Sequence, residues 1–186
     1  MIERVRLIVV SIAILTLMLG SPASAHTAVV ADPVGDMATA ASPAFDIVQA
    51  KVTERKGAGI LYFQLELAAP VTETTGFGAW AFLVNAPAGS ATFYGVVVRH
   101  CDRQVQAVCG ANGYHWESAL LTATGTTVGA FGFSVDGATV KAYVDPALLG
   151  DVGVLRWSAN TRNAPAGGGS RALDFAPNSG FVTLER

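Results

Sequence analysis

Cysteine is scarce in this chain, with only Cys101 and Cys109 among 186 residues. Without a C-x-x-C or a second pair, neither a thiolate zinc site nor a dithiol redox centre is expected. Charge is also thin, at 14% against 51% hydrophobic residues. No basic run interleaved with aromatics exists, which argues against a nucleic-acid partner. The local signatures of hydrolases are missing too: there is no G-x-S-x-G and no H-E-x-x-H. A triad assembled from distant strands would leave no local trace. Glu66, Glu117 and Asp102 offer carboxylates, but Glu66 alternates onto the solvent face of its strand. The chain therefore reads as non-catalytic.

Long apolar runs are confined to the start. Arg4 and Arg6 precede an apolar run from Leu7 to Leu19, and Ala23-Ser24-Ala25 supplies an A-x-A cleavage pattern. A run of about 13 residues falls short of the roughly 20 that span a bilayer, so residues 1–25 read as an export signal and not an anchor. The mature chain would be one domain, residues 26–186, with 10 basic and 13 acidic residues. Its expected localisation is secreted, extracellular or periplasmic. In that oxidising setting Cys101 and Cys109 are expected to form a disulfide closing a small loop, contributing about 2.5 kcal/mol on the chain-entropy account.

What is present is an acidic, Pro- and Gly-punctuated loop followed by alternating strands. Asp32, Asp36 and Asp46 fall within it, and Asp174 stands just before the last strand. Clustered carboxylates in a turn-rich loop suit a hard cation such as calcium, with backbone carbonyls and water completing its 6–8 oxygens. The spacing is not that of an EF-hand, and Asp also populates turns by bonding its own backbone. A structural calcium held by Asp32, Asp36, Asp46 and Asp174 is the expectation.

Period-two alternation runs through Val48 to Val52 and again through Leu61, Phe63, Leu65 and Leu67, with Lys56 to Gly59 as the turn between. Trp80, Phe82 and Val84 share a face, and Thr92 to His100 reads as a central strand. Tyr114 to Leu121 follows the cysteine loop. Val128 to Val135 and Ala138 to Val144 flank Asp136-Gly137, a hairpin signal. Asp145-Pro146 can start one helical turn that Gly150 ends. Val154 to Ala159 and Phe181 to Glu185 complete about nine strands, with a Gly-rich loop from Asn160 to Ser170. The fold class is all-β, an antiparallel, jelly-roll-like β-sandwich.

The order of parts resembles the DOMON and family-nine carbohydrate-binding-module superfamily. The residues that carry the resemblance are Asp32-Pro33-Val34-Gly35-Asp36 before Asp46-Ile47, then ILYFQLELAAP, VKAYVDPALLG, LRWSANT and Asp174-Phe175-Ala176-Pro177-Asn178. The resemblance implies a ligand-binding or surface module, often with a structural calcium, in some members binding sugar or haem. Trp116 and Tyr114 are the expected sugar-stacking residues, because Trp80 and Trp157 fall in register with core positions. Met37 with His100 or His115 makes a poor haem pair, and a copper site on His26 would need a second histidine. The resulting expectation is a secreted binding or surface-interaction module for a carbohydrate or cell-surface ligand. The alternatives are a purely structural or adhesion domain, and a hydrolase with an unrecognised site.

Overall fold

Alternating side chains bury one face of each strand, and two such faces close on each other. The computed structural model describes residues 25–38, 41–72, 78–85, 93–100, 116–150, 152–163 and 171–186. The strands among them are β1 (Ala25–Ala31), β2 (Ile47–Arg55), β3 (Ile60–Leu67), β4 (Gly78–Asn85), β5 (Phe93–His100), β6 (Trp116–Thr122), β7 (Thr127–Gly129), β8 (Gly132–Asp136), β9 (Thr139–Val144), β10 (Val154–Asn163), β11 (Arg171–Ala176) and β12 (Val182–Glu185). One sheet has the order β1-β2-β3-β9-β8. The other runs β11-β10-β4-β5-β6-β7, with β12 also paired to β10. Neighbours are antiparallel throughout. The expected β-sandwich is what forms.

The inner faces supply the core. Val52, Leu61, Phe63 and Leu65 of the five-stranded sheet meet Trp80, Phe82, Val96 and Trp157 of the seven-stranded one, all buried. Phe63 and Phe82 pack with ring centroids 5.1 Å apart, and Phe82 and Trp157 at 5.7 Å. Each such side chain contributes about 1.5–3 kcal/mol by leaving water. Trp80 and Trp157 are core residues, as their register predicts.

The β2–β3 hairpin follows its expected pairing from Arg55↔Ile60 to Ile47↔Leu67, turned by Lys56–Ala58 with Gly59 left-handed at φ 58°. Asp145 caps the 3-10 turn Pro146–Leu149, accepting from the Ala147 amide at 2.9 Å. Several boundaries differ from expectation: β10 runs on through Asn163 into what reads as loop, and Asp174 lies within an additional strand, β11. Ala25–Ala31 is an edge strand and not merely a lead into the acidic loop. Val128 to Val135 is divided: β7 stays in the seven-stranded sheet while β8 joins the five-stranded one. The chain changes sheets at Phe131, whose N–H and carbonyl are both satisfied by the Ser118 hydroxyl. The β8–β9 turn is centred on Gly137 and Ala138, between the pair Asp136↔Thr139, with Gly137 at φ 55°.

A buried ion pair was not legible in the sequence. Glu54, on the inward face of β2, accepts from Arg186 Nε at 3.0 Å and Nη2 at 2.8 Å, and Arg186 Nη1 reaches the Val152 carbonyl at 2.9 Å. The expected Cys101–Cys109 disulfide and the glycine-rich 164–170 lie outside the described residues, as do residues 1–24 of the expected export signal. No helix among the described residues is long and apolar enough to cross a membrane.

Candidate metal centre

The centre lies where the loop between β1 and β2 meets β11. Asp32 leaves β1 with its amide still bonded to the Val48 carbonyl at 2.9 Å. Gly35 then takes φ 88°, the left-handed value that a type II turn requires at its third residue. Its amide donates to Asp46 Oδ2 at 2.8 Å, and the Ala38 amide reaches the Leu173 carbonyl on β11 at 2.8 Å. The loop is thereby fastened to both sheets.

The second half of the loop is held from beneath. Ser42 caps a short 3-10 turn, Pro43–Phe45, with Pro at its first position. Trp80 Nε1 donates to the Ala44 carbonyl at 3.0 Å, and Thr161 Oγ1 to the Phe45 carbonyl at 2.6 Å. The Phe45 ring stacks on Trp80 at 5.4 Å and 6°. A Cβ at Gly78 would sit 2.6 Å from the Trp80 ring and 2.8 Å from Phe45, so this stack exists because residue 78 has no side chain. Asp46 follows directly, its amide bonded to the Pro43 carbonyl at 3.2 Å.

Three carboxylates converge. Asp32, Asp36 and Asp174 each place an oxygen so that all three atoms lie within 4.8 Å of one another. Calcium binds oxygen at about 2.4 Å, so any two of its ligands are separated by no more than about 4.8 Å. The triad fits that limit. Asp32 and Asp174 are 8% and 3% exposed, while Asp36 is open to solvent. Asp174 is fixed in place: its Oδ2 accepts from the Ile47 amide at 2.6 Å and its Oδ1 from the Phe175 amide at 2.8 Å. Asp36 Oδ2 accepts from Asn178 Nδ2 at 2.7 Å.

Asp46, expected as a ligand alongside Asp32 and Asp36, is not in the triad, whereas Asp174, the expected fourth, is. Asp46 stands beside the triad, with Oδ2 committed to the Gly35 amide. Its role here is to brace the turn that carries Asp36, and it adds negative charge. Asp32 Oδ2 and Asp46 Oδ1 are buried with no hydrogen-bond partner. Such orphaned acceptors are costly unless something positive meets them. The ion pairs found among the described residues, Arg99–Glu117 and Arg186–Glu54, involve none of the four aspartates.

The electrostatics follow. Burial pushes the Asp32 carboxyl from 3.8 up to about 7, reinforced by repulsion from Asp174, Asp36 and Asp46. Burial likewise raises Asp174, opposed by the two amides it accepts and assisted by Asp36 and Asp46. A cation placed among these oxygens would reverse both shifts.

The remaining candidates are dispersed. Trp116, expected to be exposed, is half-buried on β6, 5.5 Å from Trp80 and 5.0 Å from the buried His100 ring. The alternation that carried Trp116 inward was hidden because its strand starts beside the cysteine loop. Tyr114, His115, Cys101 and Cys109 lie outside the described residues. Met37 packs partly buried against the core. His26 Nδ1 donates to the Glu185 carbonyl at 2.7 Å, far in sequence from any other histidine. Asn178 was missed as a site residue; its signal is a turn asparagine four positions after Asp174. The sequence matches no family model, no curated protein and no solved structure.

Proposed function

We propose that this chain is an exported, non-catalytic binding or surface-interaction module, locked by a structural calcium ion on Asp32, Asp36 and Asp174. The observation that carries the reading is the buried, unpartnered Asp32 oxygen within a carboxylate triad of cation dimensions. Calcium is favoured over magnesium because it accepts irregular shells of 6–8 oxygens, whereas magnesium demands a near-ideal octahedron and retains its waters. The ion would join the β1–β2 loop to β11, two segments that otherwise repel. Extracellular calcium modules work at dissociation constants of about 10⁻⁴–10⁻³ M, a range that suits a site with one exposed ligand. The export signal and the resemblance to secreted ligand-binding sandwiches support the module reading and make carbohydrate the preferred ligand class.

An acid–base role for Asp32 is the competing use of a raised carboxyl. Its free oxygen is buried among three other carboxylates, which favours holding a cation over delivering a proton to a substrate.

The test is thermal unfolding in calcium and in chelator. At 100 times its Kd, a ligand that binds only the folded state stabilises by about 2.7 kcal/mol. For a domain of this size that is a rise of roughly 5–10 °C. The rise should vanish when Asp36 and Asp174 are both changed to Asn. An identical midpoint in calcium and chelator would return the aspartates to turn duty.

A further inference from the structure

The outward face of the five-stranded sheet gathers cations on a chain whose net charge is −2. Across β1, β2, β3 and β9, Thr27, Thr53, Tyr62 and Tyr143 stand in one row. Lys51, Gln64 and Lys141 stand in the next, and Arg55 closes one end. These side chains line a shallow depression of about 310 Å³, and no carboxylate is among the described residues that line it. Glu66, one row further along β3, accepts from Gln64 Nε2 at 3.1 Å.

The aromatic part of this face is held still. Tyr62 and Tyr143 meet edge to face at 5.5 Å and 84°. The Arg55 guanidinium lies 4.8 Å over the Tyr62 ring, and the Tyr143 hydroxyl meets Ser134 Oγ at 2.9 Å. A patch that combines fixed rings, amide and hydroxyl groups, and three cations is suited to a ligand with ring C–H surfaces, many hydroxyls and negative charge.

We infer that this face binds an acidic polysaccharide, one whose sugar rings carry a carboxylate on alternate units. The inference rests on the binding-module reading and deepens it by naming the surface and the ligand class. Spacing selects the ligand. Lys51 on β2 and Lys141 on β9 are separated by β3, hence by two strand spacings, roughly 10 Å. Each strand of a DNA duplex carries a charge about every 3.4 Å of helix axis, several times more densely than this array. A uronate on every second sugar matches the interval. A bound calcium would offset two negative charges of the acidic centre, which lessens its repulsion of such a polyanion.

The experiment is calorimetric titration of the full mature protein, at fixed calcium, with hyaluronan oligosaccharides as probe. Neutral chitin oligosaccharides and single-stranded DNA are the controls. The expected result is hyaluronan binding that weakens with salt, no binding of the neutral sugar, and weaker binding of DNA. Lys51→Gln with Lys141→Gln should lower hyaluronan affinity at least tenfold with the unfolding midpoint unchanged, since both side chains stand on the solvent face. A double variant that binds as the parent does would overturn the inference, as would equal binding of neutral sugar or tighter binding of DNA. Absence of any binding also overturns it. The calcium-dependent shift in unfolding is read on the same protein, so loss of the ion site is recognised separately.

Discussion

Asp32 is a carboxyl group placed where, without a cation, it does better protonated. The folded side chain keeps its proton up to about pH 7, whereas the unfolded one loses it near 3.8. Across that window the native state therefore binds more protons, and the metal-free fold loses stability as pH rises through it. The raised Asp174 carboxyl acts in the same direction. Asp32→Asn removes one titration while keeping the shape of the protonated acid. In chelator, this variant should match the parent below pH 4 and exceed it in stability at pH 8, while responding less to calcium. Denaturant unfolding at the two pH values measures this. A variant weaker than its parent at pH 8 would show that Asp32 is not the repelled group.

At the scale of elements, the centre depends on a stack that contains no acid at all. Phe45 on Trp80 sets the height of the 3-10 turn, and the turn delivers Asp46, which braces Gly35. Gly78→Ala would drive a methyl into both rings and cost about 1–3 kcal/mol through overpacking. The denaturant midpoint should fall with an unchanged m-value, and calcium should bind more weakly because the loop is displaced. Parental stability in the Gly78→Ala variant would mean that the rings yield freely. Strand alternation made this architecture readable in advance, since Leu61 to Leu67 buries every second side chain and Trp80, Phe82 and Val84 share a face. The aspartates were readable for a different reason, their turn company of Pro and Gly. Which of them faces the ion was not, because Asp46 and Asp36 look alike until the Gly35 amide takes one of them. Nor was the sheet change at Phe131, which depends on a serine 13 residues earlier.

For the whole molecule, the proposed polysaccharide face and the candidate metal centre lie apart. One uses the outward face of β2, β3 and β9, the other the end where β2 meets β11. Near the other end of β2 from the metal centre, Glu54 clasps the inner side of the strand to Arg186. Removing one partner of such a buried pair typically costs about 3–5 kcal/mol, because the other charge is left stranded. This clasp was invisible in the sequence: an inward Glu in an otherwise apolar row looks like a lapse in alternation until its partner, 132 residues away, is seen.

The ties around the acidic loop share that remoteness, Ile47 to Asp174 spanning 127 residues and Phe45 to Thr161 spanning 116. Such contacts close late, after the entropy of long loops has been overcome. An ion held at this centre would therefore grip only a chain that has nearly finished folding. Calcium should slow the escape from the native state many-fold while leaving the rate of reaching it almost unaltered, and stopped-flow mixing in calcium and in chelator separates the two limbs. Protection of this kind outlasts brief encounters with proteases, which govern the lifetime of a protein exposed to them more directly than equilibrium does.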